Sequence, residues 1–421
     1  IAVLHDGRPR LNPEGARVGE WQTMIEAVDV YTVGLGGDSQ VRLDSAGQLF
    51  IGPRRVAPLC MLASEYPDVT AELRRHVESG REDNLAGQFA LAQRASSRSL
   101  PDGERALWDH LTGSAKSLAG SARPLTGSAR SLTAAVPQSL LSLASKLRYR
   151  SFVERRVAAL ETRGLVLRAG FTPTDALHVL GRFEQWDAEA SRLGAELLAA
   201  RMGLSPTEFC ERVVASVSDR VARELISKVL NDEAVLPDWE QEPAAAALLA
   251  RALGDAPHSD LGCRLKLRQP LVAVGAPVEA YLPRTAQQLH TELVIPRRAE
   301  VGNAVGAVAG GVVQQLRALV RPLEAERRFR LHLPDGVRDF DVLEEAVVHA
   351  QRVAPEQVRA QARQAGAEHV EVQVERVDRN APVRMGWGAD VYLGTDLTFT
   401  AVGRPSPARS YRAPAEEPVP G

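Results

Sequence analysis

The spacing of apolar positions changes along the chain, and those changes divide it. "IAVL" at residues 1–4 reads as a strand, and Asp6-Gly7 after it is a hairpin turn signal. "GEWQTMIEAVDVYTV" reads as a short amphipathic piece running into a strand. "QVRLDSAGQLFIGP" alternates like a second hairpin, with Ala46-Gly47 in its turn, until Pro53 and Pro58 break the pattern. Residues 1–60 are therefore expected to be rich in β-structure.

Helical spacing follows. "YPDVTAELRRHVES" predicts a helix stopped by Gly80. "SFVERRVAALETRG" predicts another, ending at Gly164. In "GFTPTDALHVLG", Thr172 is placed to cap a helix whose first residue is Pro173. Ser205 and Glu208 form a capping box for a long helix that carries Val213, Val217, Val221 and Leu225 on one face. The helical region is bounded at 61–233. Within it, Leu111, Leu118, Leu125 and Leu132 recur every seven residues. A coiled coil needs a second apolar position per heptad, and Gly113, Gly120, Gly127 and Pro124 oppose a helix. The stretch 111–137 reads as a low-complexity segment without chemistry of its own.

Residues 234–328 return to alternating strand and helix. "PLVAVGAP" is a strand ending at Gly275, "VEAYLPRTAQQL" a helix, "TELVIP" a strand, and "AEVGNAVGAVAGGVVQQLRALV" a helix of small residues. Residues 329–405 read as a βαββ unit. It holds the strand "RFRLHLP", a helix boxed by Asp341 and Glu344 and interrupted at Pro355, and the strands "HVEVQVERV" and "DVYLGTDLTFTAVGRP". The Pro-rich segment 406–421 reads as disordered.

Composition narrows the classes of function. With 421 residues the chain is long enough for two to three domains and a sizeable core. A net charge of -2 carries no signature of a nucleic-acid partner. No apolar run is long enough to span a membrane. The three cysteines, Cys60, Cys210 and Cys263, are scattered and form no CxxC pair. That disfavours a disulfide framework or a thiolate zinc site and fits a reducing, cytoplasmic setting.

Four stretches carry candidate chemistry. "VGLGGDS" (residues 33–39) follows an apolar run, and its glycines would let backbone N–H groups close on an anion. It lacks the lysine of a Walker loop and the spacing of a dinucleotide fingerprint, so taken alone it reads as a tight turn. "VAVGAPVEAYL" places small residues beyond a strand's carboxyl end, where ligands sit in α/β sheets; close strand–helix packing explains it equally well. In "PRRAEVGNAVGAV", Gly302, Ala304, Gly306 and Ala307 allow close helix packing, and Asn303 caps the helix or meets a ligand. In "TPTDALH", Asp175 and His178 share a helix face. They suit a metal or acid–base pair, or a cap completed by Asp175 beside a structural histidine.

In this order the segments resemble the A-subunit family of hydantoinases and 5-oxoprolinases. The resemblance is carried by Thr23-Met24, Glu26-Ala27, Asp29-Val30, Thr32, Gly34, Gly36-Gly37 and Ser39, then by "GFTPTDALHVLG", "PLVAVGAPVEAYLP" and "IPRRAEVGNAVGAV". It implies an α/β chain with an actin-like ATPase (ribonuclease H-like) core. That core would have a mixed sheet, a helical insertion and a small C-terminal α+β unit. The implied activity is ATP-dependent hydrolysis of a small cyclic amide, with ATP and Mg²⁺ as cofactors, and the resemblance leaves room for a B-type partner subunit and a homo-oligomer. Gly275, Ala276 and Pro277 would lie near adenosine, supported by Gly302, Asn303 and Gly306. Gly34, Gly36, Gly37 and Ser39 would face the phosphates. Asp38, where the family often has glycine, would hold Mg²⁺, and Asp175 and His178 would take part in catalysis. The family's phosphate loops would precede Ile1, so the chain reads as a fragment; an ATP-dependent carboxylase or one-carbon-transfer subunit, and a scaffold that kept the fold, are the alternatives.

Overall fold

A computed structural model describes residues 1–405 except 6–7, 13–14, 16, 19–20, 23–26, 81–82, 94–98, 114–135, 148–149, 236, 240, 255–259, 310, 324–327 and 382–390. Thr23, Met24, Glu26, Leu118, Leu125, Leu132 and the segment 406–421 thus lie outside the described residues. The chain is mixed α/β and forms two compact units, Ile1–Glu300 and Val301–Gly421. No described helix is long and apolar enough to cross a membrane.

The first unit begins with short antiparallel pairs, among them Leu4–His5 with Arg8–Pro9, the hairpin expected around Asp6-Gly7. The second expected hairpin joins β1 (Ser39–Leu43) to β2 (Leu49–Arg55). The Asp44 carboxylate accepts the N–H groups of Ala46 and Gln48, and Gly47 takes φ +77°, which glycine adopts without strain. Next come β3 (Ala57–Pro58), α1 (Leu59–Glu65), α2 (Asp68–Glu78), β4 (Phe89–Ala92) and α3 (Asp102–Gly113). Leu111 belongs to α3 and is fully buried, so the start of the leucine repeat is core structure. They are followed by β5 (Gln138–Ser139), α4 (Leu140–Leu147), α5 (Arg150–Thr162) and β6 (Val166–Gly170).

A four-stranded sheet in the order β5-β4-β6-β3 organises these pieces, antiparallel except where β6 runs parallel to β3. Its side chains join one large core with α6 (Pro173–Val179), α7 (Ala188–Ala200) and α8 (Pro206–Asp232). Two of the three capping boxes read from sequence are formed, Thr172 with Asp175 and Ser205 with Glu208. Such a cap stabilises a helix by about 1 kcal/mol. The unit closes with α9 (Pro243–Leu253), β7 (Leu271–Val272), α10 (Val278–Gln288) and β8 (Leu293–Val294). β7 and β8 pair in parallel, and α10 packs on α8.

The second unit departs from the sequence reading in four places, one of them a strand, Gly336–Phe340, that the expected βαββ unit lacked. The helix expected through residues 299–320 is only α11 (Gly302–Ala309), and β9 (Val312–Leu323) follows it. Beyond the helix burial alternates: Leu316, Ala318 and Val320 point inward while Arg317 is exposed. β10 (Arg328–Leu333) and β11 (Gly336–Phe340) lead to α12 (Leu343–Gln364). Asp341 and Glu344 form no capping box. Val342 is the N-cap, Asp341 pairs with Arg328 at 2.8 Å, and Glu344 meets Arg376 at 2.8 Å. Nor does Pro355 end α12. An interior proline costs about 3 kcal/mol; here it is offset by fully buried Ala350, Ala354, Val358 and Ala362, which seat α12 on the sheet. β12 (Ala367–Ala381) and β13 (Val391–Pro405) complete a five-stranded antiparallel sheet in the order β11-β10-β9-β13-β12.

Candidate functional site

The glycines of "VGLGGDS" serve close packing. Gly36 to Ser39 form a tight turn: the Ser39 N–H donates to the Gly36 carbonyl at 3.1 Å, and the Gly36 N–H donates to Ser39 Oγ at 2.9 Å. None of Gly34, Gly36 and Gly37 has a positive φ. What they avoid is collision. A Cβ on Gly34 would lie 3.1 Å from Pro53, and one on Gly37 would lie 2.7 Å from Thr174 Oγ1. Thr174 donates its N–H (3.0 Å) and its hydroxyl (2.8 Å) to the Gly37 carbonyl, which holds the turn on the first turn of α6.

Asp175 and His178, the expected catalytic pair, have structural work in α6. Asp175 is fully buried. Its carboxylate accepts from the N–H groups of Leu59 (3.2 Å), Cys60 (2.8 Å) and Thr172 (2.9 Å), and from the hydroxyls of Thr172 (2.8 Å) and Ser191 (3.0 Å). One side chain thus caps α6, ties down the start of α1 and anchors α7. Burial, with the Asp175 charge added, pushes the Cys60 thiol pKa well up, so this cysteine is no nucleophile. His178 Nδ1 lies 2.9 Å from the Thr174 carbonyl, and its Nε2 lies 3.2 Å from the backbone nitrogen of Trp186. A carbonyl needs a donor and an N–H needs an acceptor, so these partners select the tautomer protonated at Nδ1. The His178 ring stacks on Trp186 at 5.8 Å and meets Phe183 edge-on at 5.1 Å.

Beside this cluster opens a cavity of about 690 Å³, the size of a small-molecule site. Its apolar wall includes Met61, Leu167, Leu177, Phe183 and Trp186. Three of the flagged stretches reach it: Gly37 and Asp38 from the turn, Thr174 from α6, and Ala276 and Pro277 from the start of α10. Gly275 turns the chain there with φ +128° and donates its N–H to the Ala299 carbonyl at 2.7 Å. The polar rim holds Asp38, Arg55, Arg182 and Glu279. Arg55 Nε donates to Asp38 Oδ2 at 2.6 Å, and this partner raises the guanidinium pKa. Arg182 donates to Glu211 at 2.7 Å.

Other expected ligand contacts are not among the residues that line this cavity. Ser39 is fully buried with its hydroxyl inside the turn, and Gly34 sits under Pro53. Gly302, Asn303 and Gly306 are in α11 of the second unit. A Cβ on Gly306 would meet nothing within 4 Å, so no tight helix contact requires that glycine. Among the described residues no three His, Cys, Asp or Glu side chains gather where they could hold a metal. Trp186, Phe183 and Arg55 were not singled out from sequence. The signal was there for the aromatics: two of the chain's few large rings lie three residues apart in "RFEQW", just past a helix end.

The chain matches no protein-family model, no curated protein and no solved structure.

Proposed function

We propose that the first unit is the nucleotide-binding part of an ATP-dependent hydrolase of cyclic amides, with an actin-like ATPase (ribonuclease H-like) core, and that its cavity takes the nucleoside end of ATP. One observation carries this reading. Gly37-Asp38, Thr174 and Ala276-Pro277, from three segments far apart in the chain that the sequence marks as candidate chemistry, line a single cavity. Its volume suits a nucleoside, and its chemistry suits a flat base: Trp186 and Phe183 offer ring surface, and Met61 and Leu177 exclude water.

ATP would supply the phosphoryl group that activates a ring amide toward water. The residues present would bind and orient it. The aromatic wall would hold the base, and Arg55, next to Asp38 at the rim, is the cation an incoming phosphate would attract. The turn itself is a poor phosphate cradle, because the Gly36 N–H is already donated to Ser39. Magnesium does not fit the rim as built. Asp38 is bound to Arg55, and no metal-type cluster surrounds it among the described residues.

Calorimetric titration of the full chain with adenosine and with ATP tests the reading. Binding of both, weakened by Trp186→Ala, is the expected result; no binding of either at millimolar concentration overturns it. A second reading, a binding module without chemistry, is favoured by the commitment of Asp175 and His178 to structural hydrogen bonds. ATP binding with no ATP-dependent opening of hydantoin or 5-oxoproline would select that second reading.

A further inference from the structure

The feature with the most unexplained order lies in the second unit, on the free edge of its sheet. β12 pairs with β13 on one side and with no described strand on the other. It is fifteen residues long and largely exposed. Long open edges invite pairing, and charges placed on them decide with what.

The charges on this edge form a palindrome. Around Val377, which is 47% exposed, the order is Glu375-Arg376-Val377-Asp378-Arg379. Each acid has a base at the mirror position. We infer that β12 is a self-pairing edge, on which a second copy of this chain adds antiparallel about a two-fold axis through Val377.

In that arrangement Glu375 lies opposite Arg379 of the other copy, Arg376 opposite Asp378, and Val377 opposite itself. Opposed residues share a sheet face, so each pair can touch. Register is decided by repulsion. Side chains alternate between faces, so an axis can move only one residue at a time along the strand. Moved one residue toward the N-terminus, it sets Arg376 against Arg376; one residue further, Glu375 against Glu375. Moved toward the C-terminus, it sets Asp378 against Asp378, then Arg379 against Arg379. Like charges directly opposite each other destabilise a pair. The axis at Val377 is the register near this cluster in which all four charges meet opposite charges. The interface is isologous and closes as a dimer.

Contacts inside the unit are compatible with this. Arg376 is held by Glu344 at 2.8 Å and by Asp378 at 3.1 Å, so its guanidinium is already positioned beside the edge. Arg379 is paired with Asp396 on the opposite face of the sheet from α12. Glu375 is exposed and has no ion pair among the described residues; the second copy would provide one.

Cysteine cross-linking and charge exchange on the full chain test the inference. In a Cys263→Ser background, Val377→Cys should form a disulfide-linked dimer on mild oxidation. Directly opposed strand residues lie about 4.5–5.5 Å apart at Cα, within disulfide range. Val374→Cys should not link, since the two copies of residue 374 would be about 20 Å apart along the strands. Glu375→Arg alone and Arg379→Glu alone should each weaken the dimer about tenfold in sedimentation equilibrium, because each sets like charges against each other. An equimolar mixture of the two should recover dimers, since both cross-strand pairs become opposite in sign. A wild-type chain that sediments as a monomer, equal linking by the two cysteine variants, or a mixture that associates no better than its components would each overturn the proposal.

Discussion

His178 holds Trp186 in place. Its Nε2 accepts the backbone N–H of Trp186 at 3.2 Å while the two rings stack 5.8 Å apart, and Trp186 forms one wall of the cavity. His178→Phe keeps a ring but removes the acceptor for Trp186 and the donor to Thr174. Leaving these groups unpaired is expected to cost about 2–4 kcal/mol in urea unfolding. An unchanged unfolding midpoint would mean that the hydrogen bonds contribute nothing.

Asp175 should prove to be a residue of stability. Asparagine has nearly the same shape, but it places an NH₂ group where the carboxylate receives N–H and O–H donors from α1, α6 and α7. Asp175→Asn is therefore expected to destabilise the chain by about 3 kcal/mol, as for breaking a buried charged hydrogen-bond network. A variant with wild-type stability that had lost only turnover would return Asp175 to a catalytic role.

Asp38 separates two accounts of the rim. If it serves to neutralise Arg55, Asp38→Ala frees that guanidinium and removes a negative charge beside an incoming phosphate. ATP should then bind about two- to fivefold more tightly, with adenosine unchanged; the effect is small because the pair is exposed. Weaker binding of Mg-ATP by the variant would assign Asp38 to the metal instead. Titration calorimetry reads both outcomes.

His76 should make stability depend on pH. Its Nδ1 accepts the Gly87 N–H at 3.2 Å, so the proton sits on Nε2, facing Ser139 Oγ at 3.1 Å and Glu72 at 3.4 Å. Burial, only partly opposed by Glu72, holds its pKa below the ordinary 6.5. Between the two values the unfolded chain binds more protons than the folded one. Stability from this site is thus full above pH 6.5 and is lost as pH falls below it. The urea midpoint should drop between about pH 7.5 and about pH 5.5, and His76→Gln should flatten part of that drop. An identical pH profile in the variant would refute the assignment.

Short-range patterns were the legible part of the sequence. The caps at Thr172 and Ser205, the hairpin through Gly47 and the helix stop at Gly80 each depend on residues a few positions apart, and each is formed. Where local rules left a choice, packing made it. "VVQQLRALV" has enough apolar residues for a helix face, and it became β9 because β10 and β13 were there to pair with it. Pro355 remained inside α12 because the sheet buries the alanines around it. The cavity could not be read from the sequence. The Gly37–Thr174 contact spans 137 residues, and the wall it helps form also needs Trp186, oriented by a histidine whose spacing with Asp175 also suited chemistry. By itself the sequence determined the caps of α6 and α8, the turn at Gly47 and the helix stop at Gly80, because those depend on neighbours along the chain. Only the tertiary structure decided what the glycines and the Asp175–His178 pair touch, because a side chain's contacts depend on which distant groups fill the space around it.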